Sequence, residues 1–292
     1  MSMRVPTHTL YTRMQTGLGA SLARVQTLQG QVATGQRITK LSDDPVGATT
    51  GLRLRGQETD WAAYQRTADD ASAILGAADA ALQSATSLVS RVNDLAISAR
   101  NGALGPGERK AIAQEIQQIR DQIADVANTQ YMGRAVFGGH QPRAVVQVDG
   151  TWQWTSDTTP PVRRQVSPAV TMDVAIDGKR AFGEVFGLLD DLAASIESGD
   201  VAGIISGQTA VGAHFDALTA TLGEVGAMQN RVDAATELGR SVLEQVRSQR
   251  SQVEDVDLAE AMMQLNAAAT GYQASLSAIA KGDLPSLASF LR

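Results

Sequence analysis

The sequence contains no cysteine, which excludes disulfide bonds, zinc–thiolate sites and cysteine nucleophiles together. Aromatic residues are also scarce, at 4% of the chain, although 43% of its residues are hydrophobic. Enzymes of this length usually build a thick core partly from Phe, Tyr and Trp. A sequence rich in Ala, Val and Leu instead favours helices packed in long, thin bundles.

A basic surface and a long apolar run are missing as well. The formal net charge is −6, which argues against a nucleic-acid partner. No apolar run approaches the roughly 20 residues that span a bilayer, so no membrane insertion is expected. Polar residues interrupt every apolar stretch of MSMRVPTHTLYTRMQTGLG, unlike a secretory signal peptide. A route of export without a cleaved signal is therefore expected if the protein leaves the cell.

Helical periodicity is the strongest positive signal. Apolar residues alternate at spacings of three and four, which predicts a helix over about 45–99. This stripe comprises Ala71, Leu75, Ala78, Leu82, Ala85, Val89, Val92, Ala96 and Ala99. The Gly- and Pro-containing stretch NGALGPG ends it. A second stripe, from Ile112 to Val126, then predicts an antiparallel helical hairpin.

Both chain ends carry similar stripes, which we interpret as an assembly seam. Its residues are Leu18, Leu22, Val25, Val32, Leu258, Met262, Leu265, Ala269, Tyr272, Leu276 and Ile279. The stripe shifts phase at EDVDLAEA, so its second half either faces another neighbour or marks a local change of supercoil. A continuous helix over 224–281 would be about 85 Å long.

The middle of the chain has a different pattern. From about 138 the helical period gives way to alternation around the Asp149–Gly150 turn signal, which predicts a β-hairpin. The predicted fold is mainly α: an elongated antiparallel helical bundle or coiled coil from both chain ends, with a small β-rich insert. We divide it into a terminal coiled coil (1–42 plus 257–292), a helical rod (43–137 plus 181–256) and an outer β domain (138–180).

The adjacent acids Asp43 and Asp44 decide whether an enzyme is expected. Paired carboxylates serve as metal ligands, as catalytic dyads or as helix N-caps. Here Pro45 follows at the first position of the predicted long helix, and the next acid is as distant as Glu58. We therefore interpret the segment Ser42, Asp43, Asp44 and Pro45 as a helix cap rather than a metal or catalytic site.

Other candidates for chemistry are weaker. His8, His140 and His214 are scattered and have no nucleophile-plus-acid pattern, so surface or packing roles are expected. Trp152 and Trp154 share a strand face, which suits a β-domain core better than a sugar or partner site. Four acids near the phase shift lack the Gly and closing Glu of a calcium loop, so a solvated face is expected: Glu254, Asp255, Asp257 and Glu260. We expect no catalytic residue, metal or cofactor.

Five ordered stretches resemble the flagellin superfamily of bacterial axial proteins. They are QVATGQRITKLSDDPVGATTGLRLR, SRVNDLAISARNGALGPGERKAIAQEI, GRAVFGG, GAMQNRVD and SQVEDVDLAEAMMQLNAAATGYQASL. They span about three quarters of the chain. Flagellins typically carry Ala-Ala-Gly after the Asp pair, whereas DDPVGA, MRVPT and GRAVFGG resemble the hook-associated junction branch of the superfamily.

The resemblance implies a structural subunit that joins hook to filament in the bacterial flagellum, exported through the flagellar type III system. It implies these partners: copies of itself in a ring, the other hook–filament junction protein, flagellin, and an export chaperone with the type III apparatus. The terminal helices would assemble as an inner coiled-coil layer. Asn230 and Arg231 are candidate subunit contacts, with intramolecular hydrogen bonds as the favoured alternative. The competing interpretations are flagellin itself and, more distantly, a cytoplasmic helical scaffold.

Overall fold

The computed structural model describes residues 7–100, 104–155 and 162–281. The helices in these ranges are α1 (Thr7–Thr34), α2 (Pro45–Ala99), α3 (Pro106–Ala127), α4 (Gly178–Phe182), α5 (Val185–Ser198), α6 (Val201–Glu254) and α7 (Leu258–Lys281). The strands are β1 (Gln130–Tyr131), β2 (Arg134–Ala135), β3 (Val145–Val148), β4 (Thr151–Trp154), β5 (Arg163–Ser167) and β6 (Val170–Asp173). The remaining parts of the three predicted domains and of the NGALGPG break lie outside the described residues, as does the side chain of His8.

The fold is mainly α, as predicted, and it divides into two compact units. Unit 1 combines 1–59 with 243–292, and unit 2 is 60–242. These two units do not test the three-domain division proposed above, which stays a prediction. The β-hairpins belong to unit 2, where their buried side chains join the same apolar cluster as α2, α3, α5 and α6.

The predicted stripe of α2 is the centre of unit 2. Every residue of that stripe, from Ala71 to Ala99, is buried. Alanine side chains bring the neighbouring backbones close, which explains how so few aromatics suffice. Two polar pairs connect α2 to neighbouring helices: Arg91 forms an exposed ion pair with Glu115 on α3, and Gln65 Nε2 donates to Thr236 O on α6.

The β-rich part consists of three separate antiparallel hairpins. β3 and β4 pair across the predicted Asp149–Gly150 turn, where both residues have positive φ (50° and 80°) as a type I′ turn requires. A second such turn, not foreseen, joins β1 to β2 at Met132 and Gly133 (φ 50° and 79°). β5 pairs with β6 with a register shift next to Ser167.

Aromatic rings anchor the β3–β4 hairpin to the helices. Trp152 and Trp154 both pack against Phe186, with ring centroids 6.2 Å apart in each pair. Their indole N–H groups are satisfied, because Trp152 donates to Asp121 Oδ1 at 3.1 Å and Trp154 donates to Gly183 O at 3.2 Å. The two tryptophans are therefore half-buried and pack against the apolar core, a packing role as expected of them.

The far C-terminal helix differs from the continuous 224–281 helix considered above. α6 begins earlier, at Val201, after the left-handed Gly199 (φ 77°) that ends α5. It ends at Glu254, and the Asp257 side chain accepts hydrogen bonds from Ala259 N and Glu260 N at the start of α7. The phase shift therefore marks a helix break, because Asp257 caps a new helix instead of continuing the old one.

His214 on α6 makes the stability of unit 2 dependent on pH. Burial lowers the pKa of its imidazole to about 4 from the ordinary 6.5. Between those values the unfolded chain binds a proton that the folded chain does not, so stability falls as pH falls through this window. The loss should reach about 3 kcal/mol, visible as a falling urea midpoint between pH 7 and pH 4.

His214→Gln should flatten this dependence, whereas His140→Gln, which changes an exposed histidine, should leave it in place. Asp43 and Asp44 do not contribute in this window, because their lowered pKa values affect stability only below about 4. An equal slope in the His214 variant and the unmodified chain would contradict the assignment.

Candidate assembly surface and its junction

A short crossing point in unit 1 joins the end of α1 to the end of α6. Gly35 ends α1 in the left-handed region (φ 70°), which lets the chain turn back. Arg37 N then donates to Glu254 O at 2.7 Å, and Val256 N donates to Gly35 O at 3.0 Å. Gln36 and Asp255 form the β-bridge between these bonds. We call residues 35–37 with 254–256 the junction.

Asp43 and Asp44 have different local roles beside the junction. Asp44 Oδ1 accepts from Gly47 N at 2.8 Å, which is the N-cap bond of α2. Asp43 Oδ2 instead closes the preceding loop, accepting from Lys40 N at 2.8 Å and from both the amide and the hydroxyl of Thr39. These bonds lower the pKa of both carboxyls, chiefly through Lys40 N for Asp43 and Gly47 N for Asp44.

Glu254 is the buried charge at the junction. Its side chain is 6% exposed, and its Oε2 accepts from Arg55 Nη2 at 2.8 Å and Arg55 Nε at 3.2 Å. A Cβ atom on Gly51 would overlap this carboxylate, so the glycine leaves the space that Glu254 occupies. Arg37 Nη2 adds a bond to Val253 O at 2.9 Å. The arrangement ties α2, the loop after α1 and the end of α6 together.

A second acid extends this ion-pair network. Arg250 Nη1 lies 3.8 Å from Glu254 Oε2, and its Nε lies 3.2 Å from Glu58 Oε2. Arg247 Nε donates to Glu58 Oε1 at 2.8 Å. The solvated face expected for the acids at the phase shift is therefore wrong for Glu254, which is buried, while Asp255, Asp257 and Glu260 are exposed.

The two terminal helices α1 and α7 pack against each other in the single chain. The inner face of α1 contains Val25 and Leu28, which are buried, and the half-buried Leu18 and Val32. The inner face of α7 contains the buried Ala261, and its half-buried members are Leu265, Ala268, Tyr272 and Ile279. Leu28 and Ala261 were absent from the sequence-derived seam, although both continue its three–four spacing.

The remaining seam residues of α7 form a second stripe beside the inner face. Leu258, Met262 and Leu276 lie within about 40° of one another at 100° per residue, and Met262 is 52% exposed. Ala269 lies between them and is half-buried. We call Leu258, Met262, Ala269 and Leu276 the outer stripe. On α1, Leu22 is likewise exposed, so α1 and α7 do not cover all of each other's apolar surface.

The structure does not gather the other candidate residues at this surface. Asn230 and Arg231 lie in unit 2 and are exposed, and the hydrogen bonds of the described chain include neither side chain. Ser42 is exposed beside the Asp pair. Within the described residues, no three His, Asp or Glu side chains are placed to hold one metal ion, and no helix is long and apolar enough to span a membrane.

Comparison with known families matches both ends of the chain. Residues 5–141 match the bacterial flagellin N-terminal helical region, and residues 209–291 match the bacterial flagellin C-terminal helical region. The chain belongs to the flagellin superfamily. The matched regions cover about three quarters of it and include the junction residues 35–37 and 254–256 and the outer stripe of α7.

Individual curated relatives of this flagellin-superfamily chain share no more than about a third of its residues over the aligned regions. It is 28% identical to flagellar hook-associated protein 3 of Salmonella typhimurium, over 63% of this chain and 58% of that protein. It is 30% identical to polar flagellin C of Vibrio parahaemolyticus, over 51% of this chain and 39% of that protein. The alignments thus span 58% of the length of the first relative and 39% of the length of the second.

Solved structures share the fold at low identity. A putative flagellar hook-associated protein from Vibrio parahaemolyticus superposes with a TM-score of 0.67 at 20% identity, covering 73% of this chain and all of that one. FlgL from Xanthomonas campestris gives a TM-score of 0.61 at 16% identity, covering 68% of this chain and 99% of that one. Both likenesses support a helical bundle with small β elements.

Glu254→Gln should open the junction while preserving side-chain shape. The change leaves Arg55 without its charged partner, at a cost of about 2 kcal/mol, reduced because Arg55 is itself half exposed. Amide hydrogen exchange at Arg37 and Val256 should become about 30-fold faster. Glu115→Gln breaks the exposed Arg91 pair and should alter stability by less than about 0.5 kcal/mol. Unchanged exchange in the Glu254 variant would contradict the proposed role.

Proposed function

We propose that this chain is a structural subunit of the bacterial flagellum that joins hook to filament and assembles through its terminal helices. The observation that carries the proposal is the outer stripe of α7, whose Leu258, Met262 and Leu276 stay exposed after α1 has covered the inner face. Exposed apolar side chains at helical spacing favour burial against another helix. The likeness to flagellar hook-associated protein 3 supports a place at the hook–filament junction.

The finer parts of the proposal concern partners and location. Copies of the chain would form a ring outside the cell, between the other junction protein and flagellin. The subunit would leave the cell through the flagellar type III apparatus, and a chaperone would cover the outer stripe before export. The Ser42–Pro45 cap would fix the start of α2 beside the assembling helices, and Asn230 with Arg231 would contact a neighbour. The role is structural, without catalysis.

A filament subunit is the second candidate, because the chain is also similar to polar flagellin C. The two roles differ in what their absence leaves behind. Without a junction protein, flagellin is exported but has nothing to assemble on. Without flagellin, no flagellin monomers can be released into the medium.

Deletion of the gene should therefore give hooks without filaments, with flagellin monomers accumulating in the culture medium. Electron microscopy of the cells and immunoblotting of the medium measure the two outcomes. Bare hooks without shed flagellin would identify the chain as flagellin instead. Intact flagella would contradict both roles and favour the cytoplasmic scaffold.

Met262→Asp should block incorporation without unfolding the subunit. A carboxylate in the outer stripe would be buried unpaired in the assembly, whereas it is solvated in the free chain. Complementation of the deletion strain should fall at least about tenfold, measured by filaments per cell. Met263→Asp is the matched control, because Met263 is also exposed but lies about 100° around α7, outside the stripe. Equal effects of both substitutions would contradict the stripe assignment.

A further inference from the structure

Unit 2 contains a cavity whose lining includes residues of the apolar core, among them Val136 and Val174. Its volume is about 310 Å³, and it lies among α2, the β1–β2 hairpin and the β5–β6 region. Apolar side chains that line it include Ile74, Val136, Val162 and Val174. A space of this size holds about ten water molecules, enough for protein side chains to enter.

Two arginines line this cavity, and only one of them forms an ion pair in the part of the chain that the structure describes. Arg164 Nε donates to Asp70 Oδ2 at 2.9 Å, so one positive group is already paired. Arg134 also lines the cavity, is exposed, and has no acidic partner within the described residues. The cavity therefore combines apolar walls with a free guanidinium, which suits a carboxylate carried next to an apolar side chain.

The entrance carries a costly local structure. Met132 lines the cavity, has positive φ and is 84% exposed. A non-glycine residue in that region of backbone space is unfavourable, and an exposed thioether gains nothing from water. Contact with another apolar group would cover Met132.

The tip of the β3–β4 hairpin has the complementary chemistry. Val148 is exposed, and the adjacent Asp149 has no hydrogen bond or ion pair within the described residues. The turn is held firmly, because Thr151 Oγ1 donates to Val148 O at 2.8 Å and Gln147 Nε2 donates to Gly150 O at 3.3 Å. An exposed tip held by such hydrogen bonds loses little conformational entropy on binding.

We propose that the Val148–Asp149 tip of one copy inserts into the Arg134 cavity of the next copy. Asp149 pairs with Arg134, and Val148 packs against Met132 and the apolar walls. The tip does not fill the cavity of its own chain, since no residue of β3 or β4 lines it. Tip and cavity are different surfaces, so the contact is head-to-tail and generates a ring or helix rather than a closed dimer. The inference rests on the proposed function, which requires several copies side by side.

The absence of cysteine makes disulfide trapping a direct test. The double variant Met132→Cys with Val148→Cys is oxidised both as purified protein at high concentration and in isolated hook–filament particles. A head-to-tail contact gives a ladder of covalent multimers beyond the dimer. The control pairs Met132→Cys with Val201→Cys, which places the second thiol on exposed α6 surface outside the proposed contact, and should give no ladder.

A charge exchange adds a second readout. Arg134→Asp or Asp149→Arg, each introduced into the trapping variant, should reduce the ladder at least about tenfold through like-charge repulsion. Combining the two should restore it. Unchanged urea midpoints of the variants establish that they fold.

Absence of a ladder from both preparations, or dimers alone, would overturn the inference, and so would the absence of a ladder from particles that contain the chain. If particles contain the chain but give no ladder, the tip contact fails while the junction role stands. If the chain is absent from the particles, the junction role fails, and the purified protein alone decides whether tip and cavity bind.

Discussion

The carboxylate of Glu254 is the constraint on which unit 1 depends. A buried charge is tolerated only when it is paired, and Arg55 is the group that pairs it. Gly51 leaves room for this carboxylate, and the backbone oxygen of Glu254 accepts a hydrogen bond from Arg37 N. α6 ends at Glu254, and the Asp257 side chain caps the start of α7. α7, which begins after this break, packs against α1.

The break also determines which apolar surface is left for assembly. α1 covers one face of α7, formed by Ala261 and its neighbours, and leaves the adjacent outer stripe exposed. In a coiled-coil pair of this kind, part of the apolar seam is buried between the two helices, and the rest is available to pack against other helices. Nothing of this kind occurs along the central α2 stripe, where every residue is buried by the chain's own helices and hairpins.

Local sequence patterns predicted much of this architecture. The features that they did not predict depend on pairs of residues far apart in the sequence, or on turns without typical turn residues. Helix spacing predicted α2 over its observed span, and Asp149–Gly150 predicted its hairpin, because each signal lies within the element it forms. The burial of Glu254 depends on Arg55, 199 residues away, and no local pattern reports such a pair. The Met132 turn was missed because methionine is not a turn residue. The sequence predicted the outer-stripe residues only as part of a wider seam. Which seam residues α1 covers and which stay exposed became clear only from the position of α1 in the structure.

The most direct measurement is electron cryomicroscopy of intact hook–filament particles at side-chain resolution. The account predicts this chain in a ring between hook and filament, with Leu258, Met262 and Leu276 buried against helices of neighbouring subunits. A ring in which the outer stripe faces solvent, or a junction that lacks the chain, would contradict it.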